Sequence, residues 1–247
     1  MSYFIQNINS IQLLDSGPGW FSVDKPSGIS IHNDPGNDLS TLLLHYIESK
    51  PELCNLLKFK KGFGIHAVNR LDKLTSGVIL FACDKDTFRY FSRQFEDRKV
   101  QKKYIAIIHG NITLKNSELN GFWQWPLSEN SGGRNCPQGK SNKKKCRTGF
   151  KILQYSKHYT MIECDLLTGR NHQIRRHAKI AGHPVIGDKR YGSKRSLSYL
   201  KTNCGFTRLG LHSMSLKIME PEKSQTINIL STKIPDDMNT LFKNDLL

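Results

Sequence analysis

Apolar residues along this chain come in short runs broken by polar turns, and the spacing inside each run predicts an element. The run WFSV at 20–23 is closed by Asp24-Lys25-Pro26-Ser27-Gly28, which predicts a strand ending in a tight reversal, because proline cannot donate to a ladder and glycine permits the turn. Leu42, Leu43, Tyr46 and Ile47 share one face of a helix capped by Asp38 or Ser40 and running to about Ser49, with Pro51 just past its end. The segment 78–83 is continuously apolar, the pattern of a buried strand. Phe88, Phe91 and Phe95 recur at helical spacing and predict a helix from an Asp86 cap through Asp97, with the three aromatics as core. The segment 98–110 reads as a strand, with Tyr104, Ala106 and Ile108 on one face and Ile105 and Ile107 on the other. Strands follow at 148–154 and 159–166, and then a short helix capped by Asn171. It buries Ile174, Ala178 and Ala181 before Gly182 and Pro184 end it. No internal repeat and no Pro/Ser-rich linker interrupts the pattern, so one continuous domain is expected over all 247 residues.

Composition narrows the function. The longest apolar runs are a few residues, too short for a membrane span, and the polar opening MSYFIQNINS lacks the basic-then-apolar pattern of a secretory signal, so a cytoplasmic location is expected. The six cysteines form no C-x-x-C and no Cys/His pairing of zinc-site spacing, so they are expected to be reduced and structural, with no metal site. With 37 Lys and Arg against 21 Asp and Glu, the formal charge is +16, which calls for a polyanionic partner. Nucleic acid fits better than a membrane surface, because no basic amphipathic helix with a clean apolar face is evident. One stretch, 129–147, is rich in Gly, Ser, Asn and Lys, and from Arg134 onward it holds six basic residues and no acid. It reads as a loop or hairpin tip, either solvated or carrying Lys143, Lys144 and Lys145 to a nucleic-acid backbone.

Two stretches carry chemistry. In HAVNRLDKLTSGVIL, 66–80, Asp72 follows Arg70 and precedes a Thr75-Ser76-Gly77 turn that leads directly into the buried strand. A carboxylate there sits on a loop held by a rigid element, as catalytic groups commonly do. The plainer reading is an Asp that bonds its own turn and pairs with Arg70. In LLTGRNHQIRRHAKIAGHPVIGDKRYG, 166–192, His172 and His177 are five apart and diverge by roughly 140° on a helix, so one ion could not easily hold both. They are expected to be hydrogen-bonded or to face nucleic acid. Arg175, next to the buried Ile174, sits at the core edge and calls for a carboxylate partner.

The string R-L-D-x-x-T-S-G followed by an apolar strand resembles the catalytic motif of the RluA-type pseudouridine synthases, with Asp72 at the position of their single essential aspartate. The K-P-S-G at 25–28, the K-x-Y-x-A around Tyr104, T-G-R-x-H-Q-I-R at 168–175 and G-H-P-x-x-G-D-x-x-Y-G at 182–192 also resemble that family, as does Leu211-His212 with the strand after it. The resemblance runs from about Trp20 to about Ile229. One departure is Asn69, where the family usually carries His. The resemblance implies an α+β fold around a central, largely antiparallel mixed sheet flanked by helices, with an active-site cleft across the sheet. It implies that Asp72, Tyr104 and Arg175 are catalytic, Arg175 pairing with Asp72 and Tyr104 packing on the target base. Arg70, Thr75, Ile174, Arg170 and His172 would then bind substrate, together with the basic loop. The implied partner is ribosomal or transfer RNA and the implied enzyme a monomer, with no room for the added N-terminal RNA-binding domain that many members carry.

The chemistry is consistent with that expectation. Converting uridine to pseudouridine breaks the N1–C1′ bond, turns the uracil and joins C5 to C1′. The change is redox-neutral and consumes no water, so no cofactor is expected. One ionised carboxylate can attack C1′ or take a proton from C2′. The aromatic ring of Tyr104 would hold the detached base, and Arg70 could replace the base in the RNA stack. A non-catalytic basic RNA-binding protein would explain the charge but not a lone Asp in a positive site. A metal-dependent nuclease would need clustered carboxylates around Asp72, which the sequence lacks.

Overall fold

The computed structural model describes residues 11–113, 118–223 and 225–246; the opening MSYFIQNINS lies outside them. In chain order these residues form β1 (Gln12–Gly17), β2 (Trp20–Lys25), α1 (Leu39–Glu48), α2 (Pro51–Leu56), β3 (His66–Ala67), β4 (Ser76–Ala82), α3 (Lys85–Glu96), β5 (Gln101–His109), β6 (Asn120–Trp123), β7 (Leu127–Ser128), β8 (Lys143–Lys144), β9 (Thr148–Tyr155), β10 (Tyr159–Leu166), α4 (Gln173–Ile180), α5 (Lys194–Cys204), β11 (Leu211–Met219), β12 (Thr226–Leu230) and α6 (Asp236–Asn244). The class is mixed α+β, with mostly antiparallel sheet structure flanked by helices. Contacts divide the chain into two units, one running up to Gln101 and including Ser213–Thr232, the other Lys102–His212 with the chain from Lys233 on. Among the described residues no helix is long and apolar enough to cross a membrane.

The first unit is organised on β4. It pairs antiparallel with β2 and with β3, β1 pairs with β2, and β11 lies beside β4 and pairs with β12. Every residue of β4 is buried. Ile79 and Phe81 pack with Phe21, Val23 and the Leu39, Leu43 and Ile47 stripe of α1, while Val78 and Leu80 pack with Trp20, Phe91, Leu216 and Ile218. A strand covered on both faces cannot alternate with polar residues, which is why its sequence is one apolar run. Cutting Ile79 or Leu80 back to Ala would cost about 2–5 kcal/mol. Gly77 has φ +111°, and a Cβ there would stand 2.2 Å from the Ser213 carbonyl oxygen, so the glycine of the Thr-Ser-Gly turn lets β4 and β11 approach.

Several expected boundaries shift for local reasons. Of the two caps the sequence offered, Asp38 caps α1, its carboxylate accepting the Thr41 amide at 2.9 Å. Pro51 begins α2 at the first helical position, where its missing N–H costs nothing. Asp84, not Asp86, caps α3: its extended backbone lets the side chain accept the amides of Asp86 and Thr87, leaving Asp86 in the first turn. Of the three phenylalanines Phe91 alone is fully buried, because α3 lays one line of side chains on the sheet. Arg98 has φ +57°, so the next strand starts at Gln101.

In the second unit β5, β10, β9 and β6 form an antiparallel run, with Tyr104 opposite Cys164 and Cys164 opposite Phe150. From Tyr104 to Ile108 β5 is buried on both faces. Asn171 does not cap α4. His172 occupies that position at φ +53° without a side-chain cap bond, Gln173 through Ala178 are all buried, and Ala181 is half-buried. The basic stretch is a loop whose ends pair as β7 and β8, so Lys143 and Lys144 lie on a short exposed strand. The helices α2, α5 and α6 have no counterpart among the elements predicted above.

Candidate active site

In the first unit the segment carrying Asp72 leaves β3 and returns as β4, and its backbone is tied down at each step. Val68 donates its amide to the Leu80 carbonyl at 2.8 Å, and the buried Asn69 carboxamide accepts the Leu80 amide at 2.8 Å and donates to the Val78 carbonyl. A side chain bonding both ways to a neighbouring strand does the work of a ladder residue, so Asn69 supports the loop although the resembling family usually has His there. The Thr75 amide closes the turn on the Asp72 carbonyl at 3.0 Å, and Thr75 itself is buried. From the other side comes the Lys25-Pro26-Ser27-Gly28 turn. The Ser27 hydroxyl donates to the Leu74 carbonyl at 2.7 Å and the Gly28 amide to the Lys73 carbonyl at 2.8 Å. The Lys25 ammonium, fully buried, donates to the carbonyls of Pro26, Ile29 and Lys73 at 2.9, 2.7 and 3.1 Å. Asp72 is half-buried at the centre of this frame and Arg70 is exposed beside it.

In the second unit Tyr104 is buried on β5. Arg175 on α4 is buried with Asp188: Nε donates to Oδ2 at 2.7 Å and Nη2 to Oδ1 at 3.0 Å. Burial opposes the charge on Asp188, but the Arg175 hydrogen bonds and charge, with the amides of Tyr191 and Arg190, outweigh it and hold the carboxyl below its ordinary range. Ile174 is buried next to Arg175. Gln173 organises the Thr-Gly-Arg turn before the helix: its Oε1 accepts the Thr168 hydroxyl and the Arg170 amide, and its Nε2 donates to the Arg147 carbonyl and the Thr148 hydroxyl. His172 contacts the Tyr191 hydroxyl at 3.0 Å. His177 is fully buried, bonded to the Thr148 hydroxyl and the Trp125 carbonyl, and burial lowers its pKa. It is a hydrogen-bonded core histidine.

Sequence reasoning missed three residues here. Asp188 stands in the quoted G-H-P-x-x-G-D string, and the demand of Arg175 for a carboxylate was the signal that could have found it. Lys25 and Arg176 are buried cations satisfied by carbonyl oxygens, and nothing in composition separates them from surface lysines and arginines.

Residues 19–179 match the family model described as RNA pseudouridylate synthase. The chain belongs to that family. It is 32% identical over 226 residues to the ribosomal large subunit pseudouridine synthase C of Buchnera aphidicola, covering 91% of this chain and 66% of that protein. It is 30% identical over 220 residues to the tRNA pseudouridine synthase C of Haemophilus ducreyi, covering 84% and 85%. In structure it resembles human RNA pseudouridylate synthase domain containing 4, with a TM-score of 0.71 at 23% identity over 95% of this chain and 92% of that one, a likeness of fold. The chain spans 61–66% of the length of several ribosomal C-type relatives.

Proposed function

We propose that this protein isomerises uridine to pseudouridine within a structured ribosomal or transfer RNA, with Asp72 as the essential carboxylate. The observation that carries the reading is the anchored R-L-D-x-x-T-S-G loop in a chain of this family. Asp72 stands where the family places its aspartate, and the Asn69, Ser27 and Lys25 bonds fix the backbone around it. A preorganised carboxylate needs no reorganisation when the glycosidic bond breaks.

In this reading Asp72 attacks C1′ or takes the C2′ proton, N1 leaves, the uracil turns, and C5 bonds to C1′. The C5 proton is then lost to solvent and N1 regains one, so atoms balance without a co-reactant. Tyr104 supports the detached ring. Arg175 is the third catalytic residue of this reading, and Asp188 sets the plane of its guanidinium through two hydrogen bonds. Arg70, Thr75, Ile174, Arg170 and His172 contact the substrate. We further propose a single catalytic domain acting as a monomer in the cytoplasm, where the six free cysteines match a reducing compartment.

The test is incubation of purified protein with ribosomal and transfer RNA transcripts labelled with tritium at uridine C5. Release of tritium to water, with pseudouridine at a defined site, is the expected result. Binding of these RNAs without release from any of them would leave a non-catalytic RNA-binding protein.

A further inference from the structure

Pseudouridine formation ends with a proton to remove. Once C5 has bonded to C1′ it is tetrahedral and still carries its hydrogen, and the uracil ring recovers its conjugation only when a base takes that proton.

In the second unit two lysines stand just before Tyr104 on β5, and the pleat sends them to opposite faces. Lys103 lies on the face of Ile105. It pairs across the ladder with Asp165, and its ammonium is bound to Glu163 at 2.6 Å. Lys102 lies on the face of Tyr104, two residues and so roughly 6–7 Å away along the strand. That face is the one on which α4 packs. Tyr104 stands opposite Cys164 and Cys164 opposite Phe150, and Thr148 shares the face of Phe150. The Thr148 hydroxyl accepts Nε2 of Gln173 at 2.9 Å and meets the His177 ring at 3.0 Å, both side chains belonging to α4. Lys102 is therefore on the same side of the sheet as Tyr104 and the helix that carries Arg175.

Two other titratable groups on that side are committed to the core. Cys164 is fully buried, and burial raises the pKa of its thiol and keeps it protonated. His177 is fully buried and bonded to Thr148 and to the Trp125 carbonyl. Lys102 differs from both. It is half-buried, so part of its side chain is open to a ligand, and its flexible four-carbon stem lets the amine swing over a ring held on Tyr104. Burial also lowers its pKa from the ordinary lysine value, which favours the neutral amine that a base requires. The neighbouring Lys103 is shifted the other way, raised first by its hydrogen bond to Glu163.

We propose that Lys102 is a further catalytic residue, the base that takes the C5 proton from the uracil held on Tyr104. The C5–H bond breaks and its electron pair forms the C5–C6 double bond. The C6–N1 π pair moves to N1, which takes a proton from water, while the ammonium formed on Lys102 returns its own proton to solvent. Nothing is oxidised and no co-reactant is consumed. This role rests on the proposed function, and the experiment lets the two fail separately.

Single-turnover formation of pseudouridine is timed on ribosomal and transfer RNA transcripts made with hydrogen or deuterium at uridine C5, with RNA affinity and thermal unfolding measured beside it. Lys102→Met keeps the length of the side chain and is expected to slow formation by roughly a hundredfold or more while affinity holds. Removal of the C5 proton then limits the rate, so the C5 isotope effect should grow beyond that of the unmodified protein. Lys102→Arg is expected to stay as slow, because a guanidinium keeps its proton. Added ethylamine should restore part of the rate of Lys102→Met, which also shows that the variant is folded. A normal rate in Lys102→Arg would make Lys102 a fixed charge, and an unchanged isotope effect in Lys102→Met would give the proton to another base. Either result overturns the proposal with the proposed function intact. If the unmodified protein forms no pseudouridine in RNAs that it binds, the proposed function falls, and the role of Lys102 with it.

Discussion

Arg175 and Asp188 form a two-point hydrogen-bonded ion pair inside the second unit, with side-chain exposures of 6% and 0%. The pair joins α4 to the turn that follows it, and removing either member breaks both hydrogen bonds inside the core. Asp188→Asn is therefore expected to lower the unfolding free energy by about 3–5 kcal/mol, the cost of breaking a buried pair. Urea unfolding measures it, and a loss under 1 kcal/mol would mean that water reaches the guanidinium. Arg175→Lys keeps the charge but loses the planar fork, so turnover should fall clearly as well.

Asn69 replaces the usual histidine of its family yet bonds to β4 in both directions. Asn69→Ala strands the buried Leu80 amide, for which a cost of about 1–3 kcal/mol is expected. The single-turnover rate should drop while RNA affinity holds, since the frame of Asp72 loosens and no RNA contact is lost. A stable variant with a normal rate would show that the Lys25 and Ser27 bonds suffice.

His212 gives the stability a pH dependence. It is buried, and burial first, with the Arg208 charge second, pushes its pKa down to about 4 from 6.5. Between these values the unfolded chain binds a proton that the folded chain refuses. Stability should fall as pH drops from 6.5 toward 4, by about 3 kcal/mol for this group. His109 and His177, both lowered by burial, act in the same direction. Thermal unfolding at pH 7 and pH 4.5 checks this; the drop should shrink in His212→Asn, and an equal drop would assign it to other groups.

Tyr104 separates stacking from packing. Tyr104→Phe keeps the ring and should keep most activity, whereas Tyr104→Ala should lower turnover well beyond any change in RNA affinity. Equal, mild effects on turnover would make it a core residue only.

Much of the frame was legible in the sequence because single elements obey local rules. The apolar run of β4, the strand at β5 and a cap at Asp38 or Ser40 each follow from residues within one turn or one strand. The Asp84 cap was not legible, because Asp84 and Asp86 both offer a carboxylate and the chain path decides between them, and the αL backbone at His172 leaves no mark in residue type. The carboxylate beside Arg175 was foreseen by type, while Asp188 itself emerged only once the turn after α4 was folded back. Buried Lys25 and Arg176 were hidden for a deeper reason: each donates to several backbone carbonyls, which every sequence supplies and none announces.

The most direct measurement is tritium release from RNA labelled at uridine C5 by Asp72→Asn, beside an RNA-binding titration of the same variant. The substitution keeps size and removes the charge that attack at C1′ or removal of the C2′ proton requires. Release should vanish while binding persists. Release at a rate near that of the unmodified protein would contradict the assignment of Asp72 as the catalytic carboxylate, and with it the mechanism built around that loop.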